Sequence, residues 1–97
     1  MRRRHHVYVL ASRRNGTLYV GVTGNLAYRV WLHREGRGAT FTRRYGVKLL
    51  VWYVAFDEPL DGIAFEKRLK RWRRAGKLAL IEKDNPTWRD LYETLNQ

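Results

Sequence analysis

Glu66 is a carboxylate in an apolar place. It follows Phe65 and is spaced with Ile63, Leu69 and Trp72 so that it lies on or beside the buried stripe of a helix. An ionised carboxyl among apolar groups is costly unless it pairs with a cation, keeps its proton or binds a metal ion. An arginine partner is easy to find in this chain, and a lone carboxylate also suits Mg²⁺ or Mn²⁺, which retain several waters. Arg29 and His33 stand four apart and share one face of another helix. There an arginine can grip a phosphate while a histidine bonds or protonates a neighbouring oxygen, and the alternative is a solvated face. Tyr8 and Tyr19 fall in two strands that a tight hairpin brings together. A phenol with its ordinary pKa near 10 is a poor base, and nearby cations favour its ionised form. On a small sheet, such tyrosines are commonly structural. His5 and His6, beside Arg2 to Arg4, read as a basic arm and not as a transition-metal site.

The elements that must position these residues are legible in the pattern. Residues 6–12 alternate with β-branched and aromatic side chains, RRNG at 13–16 has hairpin-turn chemistry, and residues 17–22 resume the strand pattern. Asn25 caps a predicted helix from Leu26 to Glu35, with Gly36 as its stop, and a loop rich in Gly, Thr and Arg comes next. Residues 47–56 are nearly continuous in apolar side chains, which predicts a central strand covered by helices. A helix over 61–74 carries Phe65, Leu69 and Trp72 on one face and almost only Lys and Arg elsewhere. Gly76 is expected to interrupt it. A short helix is expected over 78–82, Asn85 and Pro86 break it, and Thr87 caps a last helix to about Leu95. The order ββαβααα describes an α+β domain with a small three-stranded sheet flanked by helices.

Composition narrows the function. The 97 residues fit a single domain, 1–97, and 44% hydrophobic content with thirteen aromatic residues supplies a core. No cysteine is present, which excludes a disulfide scaffold or thiolate zinc site and suits a reducing, cytoplasmic setting. The apolar run at 49–56 is far short of the roughly 20 residues that span a bilayer, so no membrane partner is expected. The net charge of +11 is concentrated. Residues 1–44 hold ten Arg against one acid, and residues 66–77 hold seven Lys or Arg against Glu66. Two basic segments separated by near-neutral ones predict a positive face that meets polyphosphate, and the excess of Arg over Lys suits phosphate oxygens. A merely solubilising surface is the alternative.

VYVLAS at 7–12, TLYVGVT at 17–23, the Arg29 and His33 pair, FTRRYGV at 41–47, Glu66 and NPTWRDLY at 85–92 together resemble the GIY-YIG endonuclease family, and above all its small single-domain bacterial members. The likeness covers nearly the whole chain in the family's order. It implies a compact domain that hydrolyses DNA phosphodiester bonds with Mg²⁺ or Mn²⁺. Carried over residue by residue, Tyr8 matches the tyrosine of the first half-motif and Tyr19 that of the second, which activates or positions water. Gly21 closes the second half-motif. Arg29 matches the arginine that stabilises the pentavalent phosphate, His33 its polar neighbour, Glu66 the metal-binding glutamate, and Asn85 an asparagine that some members use. The first half-motif departs from the pattern, with His6 in place of its glycine and Val7 in place of its isoleucine.

The resemblance further implies nicking of DNA, weakly sequence-selective or structure-selective, in repair or recombination. The target is DNA, branched or single-stranded forms included, and RNA is not excluded. Arg13, Arg14, Arg43, Arg44, Lys67, Lys70, Arg71 and Arg74 are the expected phosphate contacts, with steep salt dependence and little base reading. The alternatives are a non-catalytic DNA- or RNA-binding module that keeps the fold, or a nuclease subunit that needs a protein partner or a homodimer.

Overall fold

The computed structural model describes residues 4–95. β1 (His5–Ala11) and β2 (Leu18–Thr23) form the expected antiparallel hairpin. Its turn closes because Asn15 adopts a left-handed φ of 57°, which asparagine tolerates better than most residues. The Gly16 amide then bonds the Arg13 carbonyl at 2.9 Å. α1 (Leu26–Arg34) begins on Asn25, whose carboxamide accepts from the Tyr28 amide at 3.2 Å, and the chain leaves it at Gly36 with φ 71°. α2 (Thr40–Tyr45), β3 (Leu49–Phe56), α3 (Pro59–Arg71), α4 (Arg74–Asp84) and a 3₁₀ turn (Leu91–Thr94) complete the order. The α+β class and three-stranded sheet read from the sequence are those of the molecule.

β1 is the middle strand of the order β2-β1-β3 and divides the core into two clusters. Val7, Val9 and Ala11 face one way and pack with Leu69, Ile81 and Trp88 from α3, α4 and the segment after α4. Tyr8 and Leu10 face the other way and pack with Leu26, Val30 and Val47. Period-two alternation along one strand therefore sends an aliphatic set to α3 and α4 and a phenol to α1.

Five details of the expected elements change. The segment after Gly36 holds α2 where a loop was expected, with Thr42 buried inside it. β3 is an edge strand, not the central one. Its unbroken apolar run comes from a bulge: Val9 pairs with Trp52 but Leu10 with Leu50, so Val51 and Trp52 both reach the α3 side while Leu50 reaches the other. The third helix ends at Trp72 and Arg73, both extended, rather than at Gly76. Gly76 sits in the first turn of α4, where a Cβ would come 3.5 Å from the Trp72 indole, and Trp72 itself is exposed. The expected helix from Thr87 to Leu95 is a turn at residues 85–88 followed by the 3₁₀ segment, capped by Asp90 and not by Thr87. Of the expected basic arm, Arg2 and Arg3 lie outside the described residues, and His5 and His6 open β1.

The outer edge of β3 is capped near its start by side chains. The Leu50 amide donates to Asp90 at 3.2 Å, and the Asn85 carboxamide donates to the Val51 carbonyl at 3.1 Å. Backbone groups that would otherwise offer pairing to another chain are thereby used.

Candidate active site

Tyr8 sits at the middle of β1, opposite Gly21 of β2. A Cβ at Gly21 would fall 2.5 Å from both Cζ and the hydroxyl of Tyr8. The absent side chain is what allows the phenol to lie across β2 towards the edge of the sheet. At that edge Tyr8 meets His33, which α1 brings in fully buried. The Tyr8 hydroxyl and His33 Nε2 are 3.0 Å apart, and His33 Nδ1 is 2.9 Å from the Thr42 hydroxyl. Thr42 in turn donates to the Ala39 carbonyl at 2.8 Å.

Elimination fixes the direction of these hydrogen bonds. A carbonyl only accepts, so the single hydroxyl proton of Thr42 goes to Ala39 and its oxygen must accept from His33. His33 therefore carries its proton on Nδ1. Burial, assisted by the Arg29 charge, lowers the His33 pKa to about 4, so the ring is neutral near pH 7 and Nε2 is an acceptor. The Tyr8 hydroxyl donates to it. Gly38 presses on the other side of the imidazole, where a Cβ would come 2.8 Å from Cγ and Cε1.

Burial also pushes the Tyr8 pKa up to about 12, with the neighbouring Tyr19 adding to the rise. Arg29 reaches the Tyr8 hydroxyl and opposes the rise, and the Glu66 carboxylate is near enough to reinforce it. Tyr8 is thus a neutral donor and no base near pH 7. Tyr19 is fixed through its ring, with centroids 6.4 Å from Tyr8, 5.2 Å from His33 and 6.2 Å from Phe41. Glu66 comes from α3, which packs on β1 and β2, and one carboxylate oxygen lies 2.8 Å from Lys70 Nζ, one turn along the helix. Tyr8, Tyr19, Arg29, His33 and Glu66, scattered over 59 positions of sequence, are brought together by three secondary-structure layers.

Asn85 does not join them. It is buried, and its carboxamide is committed to the backbone: Nδ2 donates to the carbonyls of Val51 and Arg89, and Oδ1 accepts from the Arg89 amide. Its role in the structure is to bind the segment after α4 to β3. Thr42 and Gly38 carry no signal in the sequence that marks them for the site. The expected phosphate contacts are all exposed. Lys70 is paired to Glu66, Arg14 lies 4.0 Å from Glu82, and Arg74 donates to the carbonyls of Asn15 and Gly16 at 2.7 Å, which ties α4 to the hairpin turn.

The donor set also limits the metal. Among the described residues no cluster of three or more His, Asp or Glu side chains could cage an ion. Glu66 alone fits a cation that keeps most of its waters, as Mg²⁺ and Mn²⁺ do, and not a transition-metal cage. No helix among the described residues is long and apolar enough to cross a membrane.

Known proteins resemble this arrangement. The family model described as the GIY-YIG catalytic domain matches residues 4–79. A UPF0213 protein of Oceanobacillus iheyensis is 37% identical over 82 residues, covering 84% of this chain and 94% of that protein. A UPF0213 protein of Halobacterium salinarum is 38% identical over 77 residues, covering 79% and 99% respectively. The solution structure of a UPF0213 protein from Bacillus halodurans superposes with a TM-score of 0.56 at 29% identity, covering 90% of this chain and 92% of that one.

Proposed function

Since the chain belongs to the GIY-YIG catalytic domain family, we propose that it is a divalent-metal-dependent endonuclease that nicks DNA by hydrolysing a phosphodiester bond. The observation that carries this is the cluster of Tyr8, Tyr19 and His33, with the Arg29 guanidinium at the Tyr8 hydroxyl and the Glu66 carboxylate within its electrostatic reach. A binding module has no physical need for a carboxylate facing phosphate.

Each residue then has a separable task. A Mg²⁺ or Mn²⁺ ion held by Glu66 would polarise a non-bridging phosphate oxygen and ease departure of the 3′ oxygen. Arg29 offsets the charge that grows on the phosphate during in-line attack. Tyr8, with its proton committed to His33 Nε2, keeps its oxygen turned to Arg29 and so fixes the guanidinium. Tyr19 orients the attacking water or takes its proton. The buried relay through His33 and Thr42 holds Tyr8 in one protonation state and one direction. One such site per chain gives one nick per event, in keeping with repair or recombination.

The experiment is nicking of supercoiled plasmid and labelled oligonucleotides with Mg²⁺, Mn²⁺ or EDTA. Glu66→Ala should abolish metal-dependent cleavage and leave much of the DNA affinity, because Lys67 to Arg74 remain. Arg29→Ala should raise the barrier by at least about 2 to 3 kcal/mol, the loss seen on removing one charge-stabilising donor. Unchanged cleavage by Glu66→Ala would remove the metal assignment. The second reading, a basic nucleic-acid-binding module, is favoured by one observation, the 2.8 Å Lys70 to Glu66 pair that satisfies the carboxylate without a metal. Binding without cutting on every substrate would select it.

A further inference from the structure

α2 has two sides with different jobs. Thr42 points inward and holds His33, while Phe41 and Tyr45, four apart on the helix, point out with 43% and 50% of their surface exposed. Their rings lie 4.9 Å apart, and Phe41 stacks on the Tyr19 ring at an interplanar angle of 28°. Neither residue belongs to the two core clusters. Phe41 helps to fix Tyr19, yet both rings leave about half of their surface open, continuous with a candidate catalytic tyrosine, where a ligand can cover them. The surroundings are cationic. Residues 36–48 contain Arg37, Arg43, Arg44 and Lys48, all exposed, and no acid, and the Arg44 guanidinium lies 5.6 Å from the Tyr45 ring centroid.

We propose that Phe41 and Tyr45 form a stacking ledge for an unpaired DNA base beside the scissile phosphate, so that the substrate is a single strand or a duplex opened at the cut. In a closed duplex the base faces are covered by their neighbours, and a protein meets only groove edges and phosphates. A ring face is useful only where a base face is free. Aromatic rings bordered by arginines are the combination that binds strands without reading sequence, the rings taking bases and the guanidinium groups taking phosphates. Because Phe41 stacks on Tyr19, a base on this ledge lies one residue from the hydrolytic centre. The inference takes DNA as ligand from the proposed function and adds the state of the strand.

The test separates the two. Binding is measured in EDTA at fixed salt with a single-stranded deoxyoligonucleotide carrying a fluorescent adenine analogue, with the same sequence as a perfect duplex, and with a duplex opened by a central mismatch bubble. The native protein should bind the single strand and the bubble more tightly than the duplex and quench the analogue. Phe41→Ala and Tyr45→Ala should each weaken strand binding about 5- to 100-fold, with duplex binding unchanged and the quenching lost. Tyr45→Ala is the variant that touches neither Tyr19 nor the core, and circular dichroism checks its fold. Equal or tighter binding of the duplex, equal loss on all three ligands, or no loss at all would overturn the ledge. So would a protein dimer broken by Tyr45→Ala while strand binding persists. In Mg²⁺, cleavage without strand preference would overturn the ledge and leave the nuclease. Quenching and strand preference without cleavage on any substrate would support the ledge and overturn the nuclease.

Discussion

The two faces of the sheet are built from the same strand and solve different problems. On the α3 and α4 side, Val7, Val9 and Ala11 of β1 meet Leu69, Ile81 and Trp88 in an aliphatic and aromatic core. On the α1 side, Tyr8 shares its layer with His33 and Thr42, both buried. The first face holds the molecule together by removing apolar surface from water. The second buries polar groups at a cost, and offsets it with a hydrogen-bond chain in which each donor has one acceptor. Stability and site geometry are thus assigned to opposite sides of one strand, and substitutions on the two sides should have different signatures.

The largest contrast is between Leu69→Ala and Gly21→Ala. Leu69 is fully buried, and its truncation should cost about 2 to 5 kcal/mol in urea unfolding. Nicking per folded molecule should stay near native. Gly21→Ala places a methyl 2.5 Å from the Tyr8 ring, and the ring must move. Displacement of that order costs on the order of 100-fold in rate, and the loss should persist under conditions where circular dichroism shows the variant fully folded. A Gly21→Ala protein that nicks normally would break the division between the faces.

pH is the next lever. The folded His33 pKa of about 4 lies below the ordinary 6.5, so between these values the unfolded chain binds a proton that the folded chain refuses. Stability should therefore fall as pH drops from about 6.5 towards 4, by up to about 3 kcal/mol. The folded Tyr8 pKa of about 12 lies above 10, so between these values the unfolded phenol ionises and the folded one does not. Stability should fall there as pH rises. The α1 face thus confines the stable plateau to roughly pH 6.5 to 10. Urea midpoints across pH measure both flanks. His33→Asn should flatten the acid flank, and an unaltered slope in that variant would assign the flank to other groups.

A smaller effect sharpens the direction of the buried chain. Thr42→Val keeps the shape but removes the acceptor of the His33 Nδ1 proton, which should cost about 1 to 3 kcal/mol. Thr42→Ser should restore most of it. ¹⁵N shifts of the imidazole report the tautomer directly, and a native ring protonated on Nε2 would reverse the chain from Thr42 to Tyr8.

How much of this was legible in the sequence differs by face. The hairpin, the Asn25 cap and the apolar half of β1 come from period-two alternation and turn residues, which are local signals. Glu66 was legible because a carboxylate beside an apolar stripe violates a local rule. α2 was not. TFTRRY lacks strong helix formers at its start, Ala39 makes no capping bond, and glycines flank it, so nothing local favours a helix. It is held by the tertiary bond from His33 to Thr42. Gly38 was invisible for the same reason, since only the fold reveals which side chain presses against a glycine. Asn85 could be placed near the site only by resemblance, and its bond to the Val51 carbonyl joins positions 34 apart in sequence, which no local pattern shows.

Lys70 should give the smallest effect and lies where the two faces meet, since α3 packs on the aliphatic side yet carries Glu66 within electrostatic reach of Tyr8. The Lys70 side chain is about half exposed while that of Glu66 is only 12% exposed, and the 2.8 Å pairing lies within one helix. Such pairs contribute less than about 1 kcal/mol, so Lys70→Met should leave the urea midpoint nearly unchanged. The same pair competes with any cation at Glu66. Without the ammonium the carboxylate is free for a divalent ion, and the Mg²⁺ concentration giving half-maximal nicking should fall, by no more than about 5-fold given the size of the interaction. If Lys70 instead supports the substrate phosphate, the requirement for Mg²⁺ stays put and the salt dependence of DNA binding becomes shallower by about one phosphate contact. If the Mg²⁺ requirement rises, Lys70 orients Glu66 for the ion, and a pair that resembles a structural salt bridge belongs to the site.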